Sequence, residues 1–229
     1  MKSAPALSPR LAAVASFVRG GSTVCDVGTD HAYLPISLCL SGKVLSAYAT
    51  DVNEGPLLRA KEHIRAFGLE EKISTFLTDG LSGLGSLGCD HILICGMGGD
   101  LIQRILDDAP WIKDPNIRLI LQPMTHDDTL RSYLASHGFA IIDEALAKED
   151  RIYRILCAEY TGIPEELTEI ERIFGRANLL RGGELFLEYV SFVHHVYSVR
   201  RDGKRGAGVP YEEEERLLQK MEVLLHDGR

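Results

Sequence analysis

The chain has 229 residues, with 25 basic against 33 acidic side chains, a formal net charge of −8, 45% apolar residues and 7% aromatic ones. That length buries a substantial core, as one large domain with an appendage or as two small ones, and the composition excludes collagen-like, disordered and disulfide-scaffold classes. The acidic balance speaks against nucleic-acid binding through generalised positive charge, since non-specific affinity comes mostly from neutralised phosphates, but it leaves room for a locally basic site.

Ser8-Pro9 is a helix start, a capping hydroxyl followed by a proline where no backbone donor is needed, and Leu11, Val14, Ala15 and Val18 follow at helical spacing until Gly20-Gly21. Seven short apolar runs rich in β-branched residues come next: Thr23–Val27, Val44–Thr50, Ile73–Leu77, Asp90–Cys95, Ile117–Leu121, Phe139–Ala145 and Tyr153–Glu159. Helix-like segments at 32–41, 54–67, 99–109 and 126–137, with a short piece after Asp79, separate the first six. The alternation predicts an α/β fold, a Rossmann-like parallel sheet covered on both faces. Only Lys148-Glu149-Asp150-Arg151 separates the last two strands, which predicts a closing antiparallel hairpin. From Thr161 the pattern turns helical, with Leu179, Phe186, Val190, Val193 and Tyr197, then Leu217, Leu218, Met221, Leu224 and Leu225. The Gly-rich, basic stretch from Arg200 to Pro210 is expected to be the turn of a helical hairpin. The expected domains are therefore 1–160 and 161–229.

Five scattered cysteines without a C-x-x-C fit a reducing cytosol, and no apolar stretch approaches the roughly 18 residues of a membrane span. A soluble, cytoplasmic, monomeric protein is expected. The histidines offer no metal-ligand spacing, so no metal is expected.

In doubly wound sheets ligands bind beyond the carboxyl ends of the strands. After the first strand, Gly28 lets a ligand approach the backbone, but G-x-G-x-x-G is absent, and a pyrophosphate would meet the carboxylate of Asp30. That disfavours a dinucleotide and favours a cofactor without phosphates, such as S-adenosylmethionine, with its positive sulfonium and ammonium and its ribose hydroxyls. Asp26 would sit near the ammonium. Asp51, 23 residues after Gly28, matches the interval of about 20 at which an acid reaches a ribose hydroxyl. Asp79-Gly80, ending the third strand, would meet the adenine amino group. Each acid alone reads equally well as a turn or cap residue; acids ending successive strands in this order are more specific. The fourth strand ends in Gly96-Met97-Gly98-Gly99, whose glycines suit close approach of a flat ligand, and the fifth in Gln122-Pro123, where an amide is available to a base edge or to local backbone.

The run Asp26-Val27-Gly28-Thr29-Asp30-His31-Ala32-Tyr33-Leu34-Pro35, the Gly96–Gly99 run and Leu119-Ile120-Leu121-Gln122-Pro123 together resemble the bacterial tRNA (adenine-22-N1)-methyltransferase family, known as TrmK. The resemblance extends from the opening Leu-Ser-x-Arg-Leu through the sheet domain to a coiled-coil-like C-terminal domain. Ordinary adenine methyltransferases carry Asn/Asp-Pro-Pro-aromatic where this chain has Gly-Met-Gly-Gly. The resemblance implies methyl transfer from S-adenosylmethionine to N1 of an adenine in the D-arm region of tRNA, with Asp30 as the catalytic aspartate. Met124 departs from the family, whose members carry Asn after Gln-Pro.

His31 is a second catalytic candidate or a helix cap, and Tyr33 a base-stacking or core residue. A base-paired adenine hides N1, so the target must be unpaired or flipped out, and Gly98, Gly99, Met97 and Met124 line the expected site. Neither half of the chain is basic: residues 1–160 carry 15 Lys+Arg against 20 Asp+Glu, and 161–229 carry 10 against 13. Local excess gathers at Arg200, Arg201, Lys204 and Arg205, a candidate phosphate-binding group or a solvated loop, with Lys2, Arg10 and Arg19 extending the basic surface. The alternatives are a methyltransferase acting on a small molecule or protein, and a non-catalytic S-adenosylmethionine-binding module.

Overall fold

A computed structural model describes residues 5–227, so Lys2 lies outside the described residues. The chain divides into two compact units, residues 1–166 and 167–229.

The first unit is a seven-stranded sheet in the order β3-β2-β1-β4-β5-β7-β6. Its strands are β1 (Ser22–Val27), β2 (Val44–Asp51), β3 (Ile73–Leu77), β4 (His91–Met97), β5 (Arg118–Pro123), β6 (Phe139–Lys148) and β7 (Ile152–Tyr160). The first five are parallel, and β7 inserts antiparallel between β5 and β6. The helices are α1 (Pro9–Phe17), α2 (Tyr33–Leu40), α3 (Glu54–Ala66), α4 (Gly99–Asp107) and α5 (Asp127–Ser136). Ser8 caps α1 as expected, its hydroxyl accepting from Leu11 N. The piece after Asp79 is a 3₁₀ turn, Gly85–Leu87.

Two apolar layers flank the sheet. Ile36, Val44, Ala49, Ile64 and Ile155 belong to one, and Ile92, Ile94, Ile102, Leu119 and Leu134 to the other. Burial on both faces is the physical reason the central strands read as continuous apolar runs. The order reverses beside β1, with β2 on one side and β4 on the other, which places the switch point between the ends of β1 and β4. Residues 161–166 stay with the sheet: Thr161 and Gly162 N–H donate to Gly138 O, and Glu165 N–H to Ala135 O.

The second unit holds α6 (Glu169–Phe174), α7 (Arg176–Arg181), α8 (Glu184–Gly206) and α9 (Glu212–Asp227). Phe174, Phe186, Tyr189, Val190, Val193, Leu217, Leu218 and Met221 form its buried interior. The helical hairpin is present, but its turn is shorter than expected. Arg200, Arg201, Lys204 and Arg205 lie on the last turns of α8, because ion pairs of Arg201 with Glu215 (3.5 Å) and Lys204 with Glu214 (2.6 Å) tie those turns to α9.

Candidate active site at the carboxyl edge of the sheet

The turn after β1 opens at the switch point. Gly28 has φ +76°, and the Gly28 and Thr29 N–H groups both donate to Thr50 O at 2.8 Å, folding the turn against the end of β2. Asp26, at the end of β1, is 8% exposed and, among the described residues, has no ion-pair partner. Burial pushes its carboxyl up to about 6, against a lowering hydrogen bond with Thr29. A buried acid without a cation is one that suits a positively charged ligand group.

Two adjoining cavities share Gly28, Cys95 and Gly96. One, of about 340 Å³, is lined by Arg10, Asp26, Asp30 and Tyr33, and the other, of about 300 Å³, by Asp51, Asp79, Gly80 and Met97. The acids ending β1, β2 and β3 are thus strung along one cleft. Asp51 Oδ1 accepts from Asn53 N–H at 2.8 Å, which fixes the carboxylate at the start of α3. Asp79 faces Arg104 at 3.3 Å, and Gly80, with φ +57°, packs against Ile105. The zwitterionic end of S-adenosylmethionine needs a cation as well as an anion, and Arg10 is a cation lining the same cavity as Asp26 without an ion pair to it. Its Nη1 donates to Gln122 Oε1 at 2.6 Å, whereas its Nε is buried without a partner. From sequence Arg10 belonged only to a basic surface; its entry into the cleft follows from α1 packing over the end of β5.

The Gly96–Gly99 run divides its labour. Gly96 has φ +78° and lies in the cleft. Gly98 has ordinary extended backbone, and Gly99 is buried, where a Cβ would strike the carbonyl oxygens of Thr125 and His126. Gly99 therefore serves the packing of the β4–α4 turn on the β5–α5 turn, a correction to its expected substrate role. Gln122 requires the same correction. It is fully buried, its Oε1 accepts from Arg10 and from Gly96 N–H (3.1 Å), and its Nε2 donates to Pro123 O (2.9 Å), leaving no amide edge for a base. Pro123 is buried with it.

Asp30 and His31 stand at the mouth of the cleft. Arg59 donates to Asp30 Oδ1 through Nη2 (2.7 Å) and Nε (3.2 Å), and His31 Nε2 lies 3.2 Å from Oδ2. The Arg59 hydrogen bond holds the Asp30 carboxyl below its ordinary range, so it is ionised at neutral pH. Ala32 next to them has φ +53°, a left-handed conformation that is strained for a residue with a Cβ. His31, Tyr33 and His63 stack on one another with centroids 5.1–5.3 Å apart, and His63 Nδ1 lies 3.1 Å from His31 O. Tyr33 remains 42% exposed. Sequence reasoning missed Arg59 and His63, which carry no motif; only the packing of α3 beside the β1 turn brings them there.

Arg200 lies over the Tyr197 ring at 5.1 Å, and among the described residues neither it nor Arg205 makes an ion pair. Arg201 and Lys204 are neutralised by acids, Arg201 by Asp202 as well as Glu215. No group of His, Cys, Asp or Glu among the described residues is disposed to hold a metal, and no helix there is long and apolar enough to cross a membrane.

A family model described as a methyltransferase domain matches residues 7–156. The tRNA (adenine(22)-N(1))-methyltransferase of Bacillus subtilis (strain 168) is 40% identical over 154 residues, 67% of this chain and 65% of that relative, so the chain spans just under two thirds of its length in that match. The crystal structure of the B. subtilis m1A22 tRNA methyltransferase TrmK superposes with a TM-score of 0.79 at 31% identity, over 96% of each chain. The chain belongs to the tRNA (adenine-22-N1)-methyltransferase family. A further member of the fold, Streptococcus pneumoniae Sp1610, described as a candidate tRNA (m1A22) methyltransferase and solved with S-adenosyl-L-methionine, superposes with a TM-score of 0.85 at 34% identity, over 96% of this chain and all of that one. The family's fold therefore runs through both units, including α6 to α9.

Proposed function

We propose that this chain is a cytoplasmic S-adenosylmethionine-dependent methyltransferase that modifies N1 of an adenine, adenine 22 by family, in the D-arm region of tRNA. The observation that carries the reading is the cleft at the switch point, where a buried Asp26 without an ion-pair partner among the described residues and a half-orphaned Arg10 stand at one end and Asp51 and Asp79 at the other. The cofactor fits this donor set: ammonium on Asp26, carboxylate on Arg10, ribose hydroxyls on Asp51, adenine amino group near Asp79. When bound, it supplies an electrophilic methyl group on a sulfonium.

N1 of adenine has an in-plane lone pair, so no side chain has to serve as a nucleophile, and alignment supplies most of the rate. As N1 acquires the methyl group, positive charge spreads over the ring and N6. The overall charge is conserved between sulfonium and adenosinium, so no proton need leave. Asp30, ionised and exposed at the mouth, accepts a hydrogen bond from N6 and stabilises the growing charge, the logic of a preorganised electrostatic site with its sign reversed. Held below the usual carboxylate range by Arg59, it suits the role of acceptor better than that of base. Tyr33, exposed and braced from behind by His31 and His63, offers a face for the extruded base. His31 holds the second oxygen of Asp30, and Met97 lines the adjoining cavity. The second unit offers Arg200 and Arg205 to tRNA phosphates. Five free cysteines fit a reducing compartment.

Transfer of a labelled methyl group to unmodified tRNA, run against a panel of small-molecule and protein acceptors, tests the proposal. Label in tRNA alone supports it; label in a metabolite or protein, or cofactor binding without transfer to any RNA, contradicts it.

A further inference from the structure

The helix α3 grips the catalytic segment at two points one turn apart. Arg59 and His63 are related as i and i+4, so both side chains project from one face of α3. Arg59 delivers two hydrogen bonds to a single oxygen of Asp30, and His63 reaches the carbonyl of the next residue while its ring packs on His31 and Tyr33. The segment they hold carries a non-glycine residue at φ +53°, and a strained backbone persists only where its surroundings fix it. Asp30 itself is 62% exposed on its side chain, so without such a grip its carboxylate would sample several rotamers in water. Both Arg59 donors fall on Oδ1, while Oδ2 faces His31 Nε2 at 3.2 Å. Lysine, a single point charge on a flexible stem, does not reproduce a two-pronged contact.

We infer that Arg59 is a positioning residue for methyl transfer, fixing the Asp30 carboxylate with one oxygen turned to the target base. The start of the same helix is itself fixed: Asn53, at the cap of α3, donates its N–H to Asp51 Oδ1 at the end of β2. The inference rests on the reading that Asp30 meets the substrate.

A double-mutant cycle on the full chain tests it, with single-turnover methylation of tRNA as the readout and cofactor affinity and thermal midpoint as controls. Arg59→Met is expected to slow methyl transfer 10- to 100-fold with cofactor affinity within about twofold of the parent, and Arg59→Lys to recover only part of that loss. In an Asp30→Asn background, Arg59→Met should cost less than about threefold, because the carboxylate through which it acts is gone. The acid limb of the rate profile should also move to higher pH in Arg59→Met, since Asp30 loses the partner that favours its ionised form. Equal losses from Arg59→Met in the two backgrounds, or parent-like rates in Arg59→Met, would overturn the positioning role. Parent-like rates in Asp30→Asn would instead overturn the reading of Asp30 itself. Should Arg59→Met melt well below the parent, Arg59→Lys carries the test, and a rate near the parent's in that variant would be the contradicting result.

Discussion

Arg10 Nη1 donates to Gln122 Oε1 at 2.6 Å, joining α1 to the end of β5, and the same oxygen accepts from Gly96 N–H at 3.1 Å. One buried amide thus fixes both the cation of the cleft and the glycine turn at its floor. Gln122→Leu, close in volume, leaves Arg10 and Gly96 N–H without their acceptor. Arg10→Ala is expected to weaken S-adenosylmethionine binding by about 1.5–3 kcal/mol, roughly 10- to 150-fold, the range for a hydrogen bond to a charged group. Gln122→Leu should weaken it through the same guanidinium and add little on top of Arg10→Ala. Titration calorimetry on the two variants and their combination measures both effects; full additivity would contradict the shared pathway.

On the proposed role of Asp26, cofactor binding should depend on pH in a defined direction. Its folded-state value is raised to about 6, so the folded protein takes up a proton that the unfolded chain does not as pH falls between about 6 and 4. The cost of holding the buried carboxylate is fully present above pH 6 and is relieved below about 4. An ammonium beside the carboxylate favours its ionised form, so affinity should be highest above pH 6 and fall by up to about tenfold per pH unit below it. Asp26→Asn should flatten that dependence and abolish tight binding. At pH 7.5 it should also raise the stability of the ligand-free protein, by about 1–3 kcal/mol. Denaturant melts with and without cofactor read both.

The last two glycines of the Gly96–Gly99 run should respond differently to alanine. At Gly98, a Cβ meets only Thr125 Oγ1, at 3.2 Å, and the backbone is one any residue adopts. At Gly99 it meets two carbonyl oxygens fixed in the neighbouring turn. Gly99→Ala is expected to destabilise the fold by about 1–3 kcal/mol, the range for overpacking a tight interior, and Gly98→Ala by under about 1. Thermal unfolding distinguishes them, and equal midpoints would contradict the packing role of Gly99.

Much of this site is legible in the amino-acid order because its parts are local. The strand ends carry their own acids, and the switch point follows from the alternation of strands and helices, so Asp26, Asp51 and Asp79 fall on one cleft. Arg59, His63 and Arg10 were not legible, since each reaches the site across the packing of separate elements and no spacing in the chain records that. Gln122 and Gly99 look like ligand-binding residues for a related reason: a polar or small residue at a strand end serves a buried turn as well as a substrate, and burial alone decides between them. In the second unit the glycines at 203 and 206 suggest a loop, but ion pairs across the hairpin carry α8 through them. The short α6 starts at a capping box, Thr168 and Glu171, ahead of too few apolar positions to show a period.

Those ion pairs sharpen what the basic residues of α8 can do for tRNA. Replacing Arg200 and Arg205 together by alanine is expected to weaken tRNA binding and to lower the slope of log affinity against log salt by about 1–2, one for each phosphate that is no longer neutralised. Arg201→Ala and Lys204→Ala should act chiefly on the hairpin, lowering the melting temperature and leaving the salt slope near the parent's. Fluorescence anisotropy across a salt series, paired with thermal melts, checks the contrast; a slope lowered equally by all four changes would contradict it.

The most direct measurement is reverse transcription across tRNA from cells with and without the gene, because a methyl group on N1 blocks Watson–Crick pairing and arrests the enzyme one nucleotide short of the modified base. The expected result is an arrest at adenine 22 that is lost on deletion, restored by the parent chain and not restored by Asp30→Asn. An arrest at adenine 22 that survives deletion, or a deletion that leaves every arrest in the tRNA unchanged, would contradict methylation of that base by this chain.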